Sequence, residues 1–311
     1  MWREDSSELH AHTFRVIRLI DGIWVGFNPC CFRQRKLAAT QCRRIVLLPL
    51  AYDEHTNRFG LKYISKGSIE TMKASFDNLV IEVTRRCNMG CAHCMRGNAQ
   101  DKDITEAVVD CALAGTEHIG CLTLTGGEPS LNVPAIRYIT KRIKELKIDL
   151  GSVYMVTNGK EVSDEFMLAC LELYMLTYDN DFNGLALSID QFHETVPKEN
   201  INKLSKLAAF NMEDKNVDFK KVPVIDLGRA ESLSGYRKRD RLSNDLYIEY
   251  DERYEGSVRI ESTIAITVDG DILSDCDYAY DDTEDIRIGN VFDGDWIKKM
   301  VDTYEVDTTA A

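Results

Sequence analysis

The sequence predicts an α/β protein organised around a parallel sheet, and two observations carry that expectation. From Leu79 onward, short β-rich runs alternate with helical stretches at strand-to-strand repeats of roughly 30–40 residues, the size of a βα unit. The polar clusters of this region each fall just after a strand, where open and closed parallel sheets gather their reactive groups. The strands expected are 79–84, 121–125, 152–157, 185–190 and 219–226, and the helices 103–114, 133–147, 163–178 and 198–210. Ile136, Ile139, Ile143 and Leu146 recur at helical spacing, and Asp103 and Ser163 are suited to cap helix starts.

Residues 1–76 read as a small β-rich N-terminal extension. Asp21-Gly22 separates the runs 13–20 and 23–27, a strong hairpin signal. A second pair, 44–50 and 59–64, flanks a polar turn around Asn57, and residues 68–78 read as a short helix or linker. The core follows at 77–235. Residues 236–311 form a C-terminal extension, with a further Asp-Gly turn at Asp269-Gly270 and an amphipathic stretch at 296–304.

Bulk properties narrow the classes. The chain has 311 residues, 44% hydrophobic and 29% charged, an ordinary globular balance. It contains no apolar run of membrane-spanning length and opens without a signal-peptide apolar region, which predicts a cytoplasmic protein without a membrane partner. Its net charge of −13 argues against a nucleic-acid-tracking groove. The charge is uneven: residues 1–50 carry eight Lys/Arg against four Asp/Glu, and residues 251–311 five against seventeen. There are ten cysteines, and outside one triplet they are scattered, which does not suggest a disulfide framework. Cys111 and Cys121 read as core thiols, and His118 and His55 as structural or exposed.

The triplet is Cys87, Cys91 and Cys94, at spacing C-x3-C-x2-C in the loop after the first strand. Three thiols do not complete a four-ligand zinc site or pair off evenly. They can hold three irons of a 4Fe–4S cluster and leave the fourth iron open. After the second strand comes Gly126-Gly127-Glu128-Pro129, after the third Asn158-Gly159, after the fourth Ser188 and Asp190, and after the fifth Arg229.

The cysteine loop, with His93 in the aromatic position before the third thiol, together with Gly126–Pro129 resembles the radical S-adenosylmethionine (radical SAM) enzymes over residues 79–230. The resemblance implies a partial (β/α)6 TIM-like barrel, one 4Fe–4S cluster on Cys87, Cys91 and Cys94, and S-adenosylmethionine chelated by the open iron. It implies reductive cleavage to methionine and a 5′-deoxyadenosyl radical that takes hydrogen from a substrate, with an electron donor such as flavodoxin or ferredoxin. By the same resemblance Gly126, Gly127, Glu128 and Pro129 meet the methionyl amino group, Ser188 and Asp190 the ribose and methionyl part, and Arg229 the carboxylate. Asn158 matches the third-strand turn, where termination of the strand is an equal reading. His193 is a candidate to act on substrate.

The segment from Ile266 to Cys276, with Gly289-Asn290-Val291, is similar to the SPASM/twitch extension of peptide-modifying members, which bears several cysteines. Only Cys276 stands here, so this segment alone does not build a second cluster. It is either a cluster-free cover or a partner to Cys30, Cys31 or Cys42. The expected substrate is a peptide or protein; modification of a small metabolite or nucleotide, and activation of a glycyl-radical partner, are the alternatives.

Overall fold

The computed structural model describes residues 72–212, 223–241 and 245–304, and the backbones of four short strands before them. The chain divides into two compact units, Met1–Ser68 and Ile69–Ala311. In the first, β1 (Arg15–Arg18) pairs antiparallel with β2 (Trp24–Phe27), as the Asp-Gly signal predicts. β3 (Tyr52–Asp53) pairs with β4 (Arg58–Phe59). Of the second expected pair only Phe59 falls in a described strand; the rest, with Cys30, Cys31, Cys42 and His55, lies outside the described residues.

The second unit is built on one sheet. β5 (Lys73–Thr84), β6 (Thr116–Gly126), β7 (Asp149–Thr157), β8 (Gly184–Leu187) and β9 (Phe210–Met212) follow one another in parallel. Between them run α1 (Glu106–Leu113), α2 (Val133–Leu146), α3 (Asp164–Tyr174) and α4 (Lys198–Leu204). Two short strands, β10 (Val224–Ile225) and β11 (Lys238–Arg239), pair with each other away from that sheet. The chain then returns through β12 (Ile248–Tyr250) and β13 (Ser257–Ile266), which lies parallel to β5 on its other side. β14 (Asp271–Leu273) and β15 (Arg287–Asn290) extend the edge in antiparallel pairing, and α5 (Trp296–Thr303) closes the described chain. The run β13-β5-β6-β7-β8-β9 is therefore a parallel, partial barrel-like α/β sheet, the fold class expected.

Alternation along β5 divides its contacts. Leu79, Ile81 and Val83 join the main core, together with Ile136, Ile139 and Ile143 of α2. Val80 on the opposite face packs with Ala265, Leu273 and Tyr278 of the C-terminal part. Each fully buried isoleucine contributes roughly 1.5–3 kcal/mol by leaving water, so the stripe on α2 is a main fastening of helix to sheet. Leu146, expected on that stripe, is 39% exposed at the last turn.

Four expectations are corrected. Residues 73–78 are strand, not helix or linker. Their sequence is polar, but β13 and β6 both pair with them, Ser257 opposite Lys73 and Thr116 opposite Ala74. The helix expected over 198–210 ends at Leu204, and Phe210–Met212 is the strand after β8. The run expected as that strand, 219–226, is described only from residue 223, and its Val224–Ile225 pairs with Lys238–Arg239. Three residues are too few to show a period, so neighbour pairing alone makes this strand. Finally, α1 is capped by Thr105, which accepts from the Val108 N–H. Asp103 is still extended there, bridging to Thr84, with its carboxylate taken by Thr84 Oγ1 and Arg86. Ser163 caps α3 as expected.

Candidate functional site

The carboxyl ends of β5, β6, β7 and β8 bring the predicted polar residues to one rim. Cys87, Cys91 and Cys94 lie in the loop leaving β5 as free, half-buried thiols. Backbone bonds shape the loop: Cys94 N–H donates to Cys91 O and Gly97 N–H to Cys94 O. Burial first, and then Glu128 and the other two thiols, push the Cys87 thiol up. The three are free thiols on one short loop, the donor type that an iron–sulfur cluster takes. The donor set thus fits the cluster the spacing implies.

The Gly-Gly turn after β6 lies against this loop's root. A Cβ on Gly126 would stand 2.1 Å from Thr84 O, and one on Gly127 2.2 Å from Arg86 O. The glycines therefore serve a close approach of two backbone segments of the protein itself. In that approach Gly127 N–H bonds Thr84 O and Glu128 N–H bonds Arg86 O, both at 2.8 Å. Glu128 is 1% exposed. Its Oε1 accepts from Ser130 N–H and Thr157 Oγ1, and its Oε2 from Asn158 N–H. Burial pushes its carboxyl up, and these donors pull it back. In this arrangement Glu128 binds the end of β6 to the end of β7.

Asn158 carries the connection onward. Its Nδ2 donates to Asn88 Oδ1 at 2.9 Å and reaches Cys87 Sγ at 3.9 Å, while its Oδ1 accepts from Lys160 N–H. Lys160 Nζ donates to Asn88 O and pairs with Glu194. The third-strand turn thereby holds the cysteine loop from below.

Beyond β8, Ser188 is buried and donates its N–H to Thr157 O. Asp190 Oδ1 accepts from the N–H groups of Phe192 and His193 and faces His193 Nδ1 at 2.7 Å, and its Oδ2 is 3.7 Å from His93 Nε2. His93 stacks on Phe192 with ring centroids 4.5 Å apart and meets His193 edge-on at 5.1 Å. Phe192 in turn touches Tyr236. Burial works against the Asp190 charge, yet His193 and the loop N–H groups hold its carboxyl below the usual range. Burial likewise opposes charge on His193, but Asp190 and Cys91 outweigh it and push the imidazole up to about 10. His93 is lowered, chiefly by burial.

Arg229 comes from a short 3-10 turn outside the main sheet, and its N–H donates to Cys94 O at 3.0 Å. Gly228 makes this approach possible: at φ +57°, a Cβ there would stand 2.5 Å from Met95 O. The guanidinium lies beside Gly90, and its buried Nε has no hydrogen-bond partner among the described residues.

From the C-terminal side, Arg96 Nη1 donates to Tyr278 O while its guanidinium lies 3.7 Å from that ring's centroid, and Tyr280 N–H donates to Arg96 O. Residues 278–280 thus sit on the exit of the cysteine loop. Cys276 is half-buried between Asp275 and Asp277 and interacts with Arg96. His118 Nε2 lies 2.9 Å from Tyr178 Oη near the start of β6, at the opposite end of that strand from the Gly-Gly turn. Cys121, expected in the core, is only half-buried. It pairs in register with Ser152 and shares a face with Tyr154 and Val156, each 39% exposed.

Sequence reasoning missed Asn88, Lys160, Phe192, Arg96 and Tyr280. None is a fixed position of a spaced motif (Asn88 is a variable position between Cys87 and Cys91), and each acts through a partner from another part of the chain.

Residues 81–208 match the family model of the Radical SAM superfamily. No curated protein matches the chain. Among solved structures it is similar to native anSMEcpe with bound AdoMet and Cp18Cys peptide, at 12% identity and TM-score 0.44, over 73% of this chain and 80% of that one. It is also similar to Streptococcus suis SuiB bound to precursor peptide SuiA, at 15% identity and TM-score 0.32, over 65% of this chain and 60% of SuiB. Among the described residues no helix is long and apolar enough to cross a membrane.

Proposed function

We propose that the chain is a radical SAM enzyme, on the match of residues 81–208 to that family's model, and that it modifies a peptide or protein using one 4Fe–4S cluster. The observation that carries the reading is the convergence on one rim of three free thiols, the Gly-Gly turn and an unpartnered buried arginine nitrogen. Cys87, Cys91 and Cys94 hold the cluster. When bound, the cluster and S-adenosylmethionine supply an electron and a 5′-deoxyadenosyl radical for hydrogen abstraction.

The chain's own residues position and shield that chemistry. The backbone of Gly126–Pro129 borders the place of the methionyl group, held there by Glu128. Arg229 is a cation able to meet a carboxylate, since its Nε finds no acceptor among the described residues. Ser188 and His93 line the ribose and adenine side, and Asn158 orders the loop beneath. Asp190 borders the same side: its Oδ1 is taken by two N–H groups and faces His193 Nδ1, while its Oδ2 stands 3.7 Å from His93 Nε2. Residues 278–280, seated on the cysteine loop, exclude water from its C-terminal flank.

A peptide substrate is supported by the acidic run that follows. Asp281, Asp282, Glu284 and Asp285 are exposed just beyond Tyr280, a surface suited to a basic segment.

The test is anaerobic reconstitution followed by reduction in the presence of S-adenosylmethionine. The expected result is 5′-deoxyadenosine from the wild type and none from the Cys87→Ala, Cys91→Ala, Cys94→Ala triple variant. Basic peptides are expected to raise the yield over acidic ones of equal length. Wild-type protein that binds iron and forms no 5′-deoxyadenosine overturns the activity, and indifference to peptide charge overturns the substrate class.

A further inference from the structure

Asp190, His193 and His93 meet at the rim without their side chains hydrogen-bonding to one another. His193 Nδ1 stands 2.7 Å from Asp190 Oδ1, yet that nitrogen is buried and has no hydrogen-bond partner among the described residues. The distance is short enough for a bond, so it is the direction that fails: the ring edge does not point at the oxygen. His93 Nε2 stands 3.7 Å from Asp190 Oδ2, too far for a hydrogen bond, and His93 Nδ1 is likewise buried without a partner among the described residues. One donor atom from each of the three side chains lies within 4.8 Å of the other two. The Asp190 and His193 side chains are 7% and 12% exposed, so water does little to satisfy them.

Ligands of one ion aim at a common point rather than at each other. At bond lengths of about 2.0–2.2 Å they stand roughly 3–3.5 Å apart, and the observed 2.7 and 3.7 Å bracket that spacing. We propose that Asp190, His193 and His93 form a second metal site, which takes one divalent transition-metal ion of the iron(II)-to-zinc series. Imidazole donors favour that class over calcium and magnesium, which prefer oxygen ligands. Three protein ligands leave positions open to water or substrate. The carboxylate is oriented by the Phe192 and His193 N–H groups on its Oδ1, the kind of support that fixes a ligating group. His93 is fixed by its stack on Phe192, with centroids 4.5 Å apart, and meets the His193 ring at 74°. Ligation uses the edge of the His93 ring and leaves its faces, so it is compatible with the ring's place beside S-adenosylmethionine. The site draws on none of the three thiols and does not rest on the cluster reading. It makes His193 a metal ligand rather than a group that acts on substrate.

The experiment reconstitutes the full chain anaerobically, measures its iron and sulfide, and then titrates it with zinc(II) by equilibrium dialysis. It compares wild type with His193→Phe and with His93→Phe, which keeps an aromatic ring against Phe192. The expected result is one zinc per chain in wild type, with iron and sulfide unchanged. In each variant binding is expected to weaken by about 100-fold or more, beyond the roughly 10–100-fold cost of losing a mere supporting partner. Zinc is also expected to raise the melting temperature of wild type and of neither variant, since the ion binds only the folded chain. Cobalt(II) added to the full-length Cys87→Ala, Cys91→Ala, Cys94→Ala variant reports the donor type. Absorption bands of nitrogen and oxygen ligation support the site, and sulfur-to-cobalt charge transfer overturns it. A wild type that takes up no zinc overturns the proposal, as does equal uptake by wild type and both variants. Should His193→Phe fail to fold, His93→Phe and the cobalt spectrum decide. A chain that binds zinc in this way but assembles no cluster overturns the cluster reading and leaves this site standing, so the two fail separately.

Discussion

Asn158 donates its backbone N–H to Glu128 Oε2 at 2.7 Å, fastening the turn after β7 to the turn after β6. Thr157 Oγ1 and Ser130 N–H occupy the other carboxylate oxygen, so a fully buried acid is used as a three-point clasp between neighbouring strand ends.

Replacing Glu128 by Gln puts an amide N–H against the Asn158 N–H, and replacing it by Ala leaves three buried donors unmet. We expect a loss of roughly 1–3 kcal/mol for Gln and more for Ala, measured by urea unfolding of the full chain. The cysteine loop is secured through Asn158, so iron retained after reconstitution is expected to fall in the same order. An Ala variant as stable as wild type would show that the clasp is dispensable.

Gly127→Ala tests the backbone approach. A Cβ there would meet Arg86 O at 2.2 Å, well inside contact distance, and the obstacle is backbone rather than a side chain able to swing away. The turn must move off the cysteine loop, breaking the Glu128 N–H to Arg86 O bond. The expected outcome is a lower melting temperature together with poor iron incorporation, and normal values for both would refute the packing account.

Arg96→Met removes the bond to Tyr278 O and the stacking on its ring while keeping much of the side chain's volume. A cost of roughly 2–4 kcal/mol follows from a buried carbonyl losing a charged donor and a desolvated cation–π contact. Hydrogen exchange is expected to quicken in residues 275–282, including the Tyr280 amide that bonds Arg96 O, while α2 keeps its protection. Unchanged exchange in that segment is the outcome that would count against it.

Alkaline stability reports on Cys170 of α3. Complete burial pushes its thiol up from 9.0 to about 12. The unfolded chain therefore gives up this proton first, and the thiol's contribution to stability, intact below pH 9, is lost as pH rises toward 12. Unfolding free energies taken at pH 8, 9, 10 and 11 are expected to fall less steeply in Cys170→Ala than in wild type, although the variant starts lower because of its cavity. Parallel slopes would place the thiol in solvent.

Much of the centre was legible in the chain itself. Cys87, Cys91 and Cys94 announce their chemistry through spacing, and the Asp-Gly pairs and the isoleucine stripe of α2 announce hairpins and a buried helix face, because these signals are local and periodic. Strands β5 to β8 were found for the same reason, though each was longer or shorter than its apolar run.

What only the tertiary structure decided is everything that depends on a distant partner. Residues 73–78 read as polar and become strand because β13, from the far end of the sequence, pairs with them on one side and β6 on the other. Phe210–Met212 becomes strand because β8 lies beside it. That Glu128 is a buried clasp is not visible in the chain, since the three donors that satisfy it, from Ser130, Thr157 and Asn158, converge on it only after β6 and β7 align. Spacing along the chain determines which atoms can serve a cluster. Which side chains support those atoms is determined by pairing and burial between segments that the sequence keeps far apart.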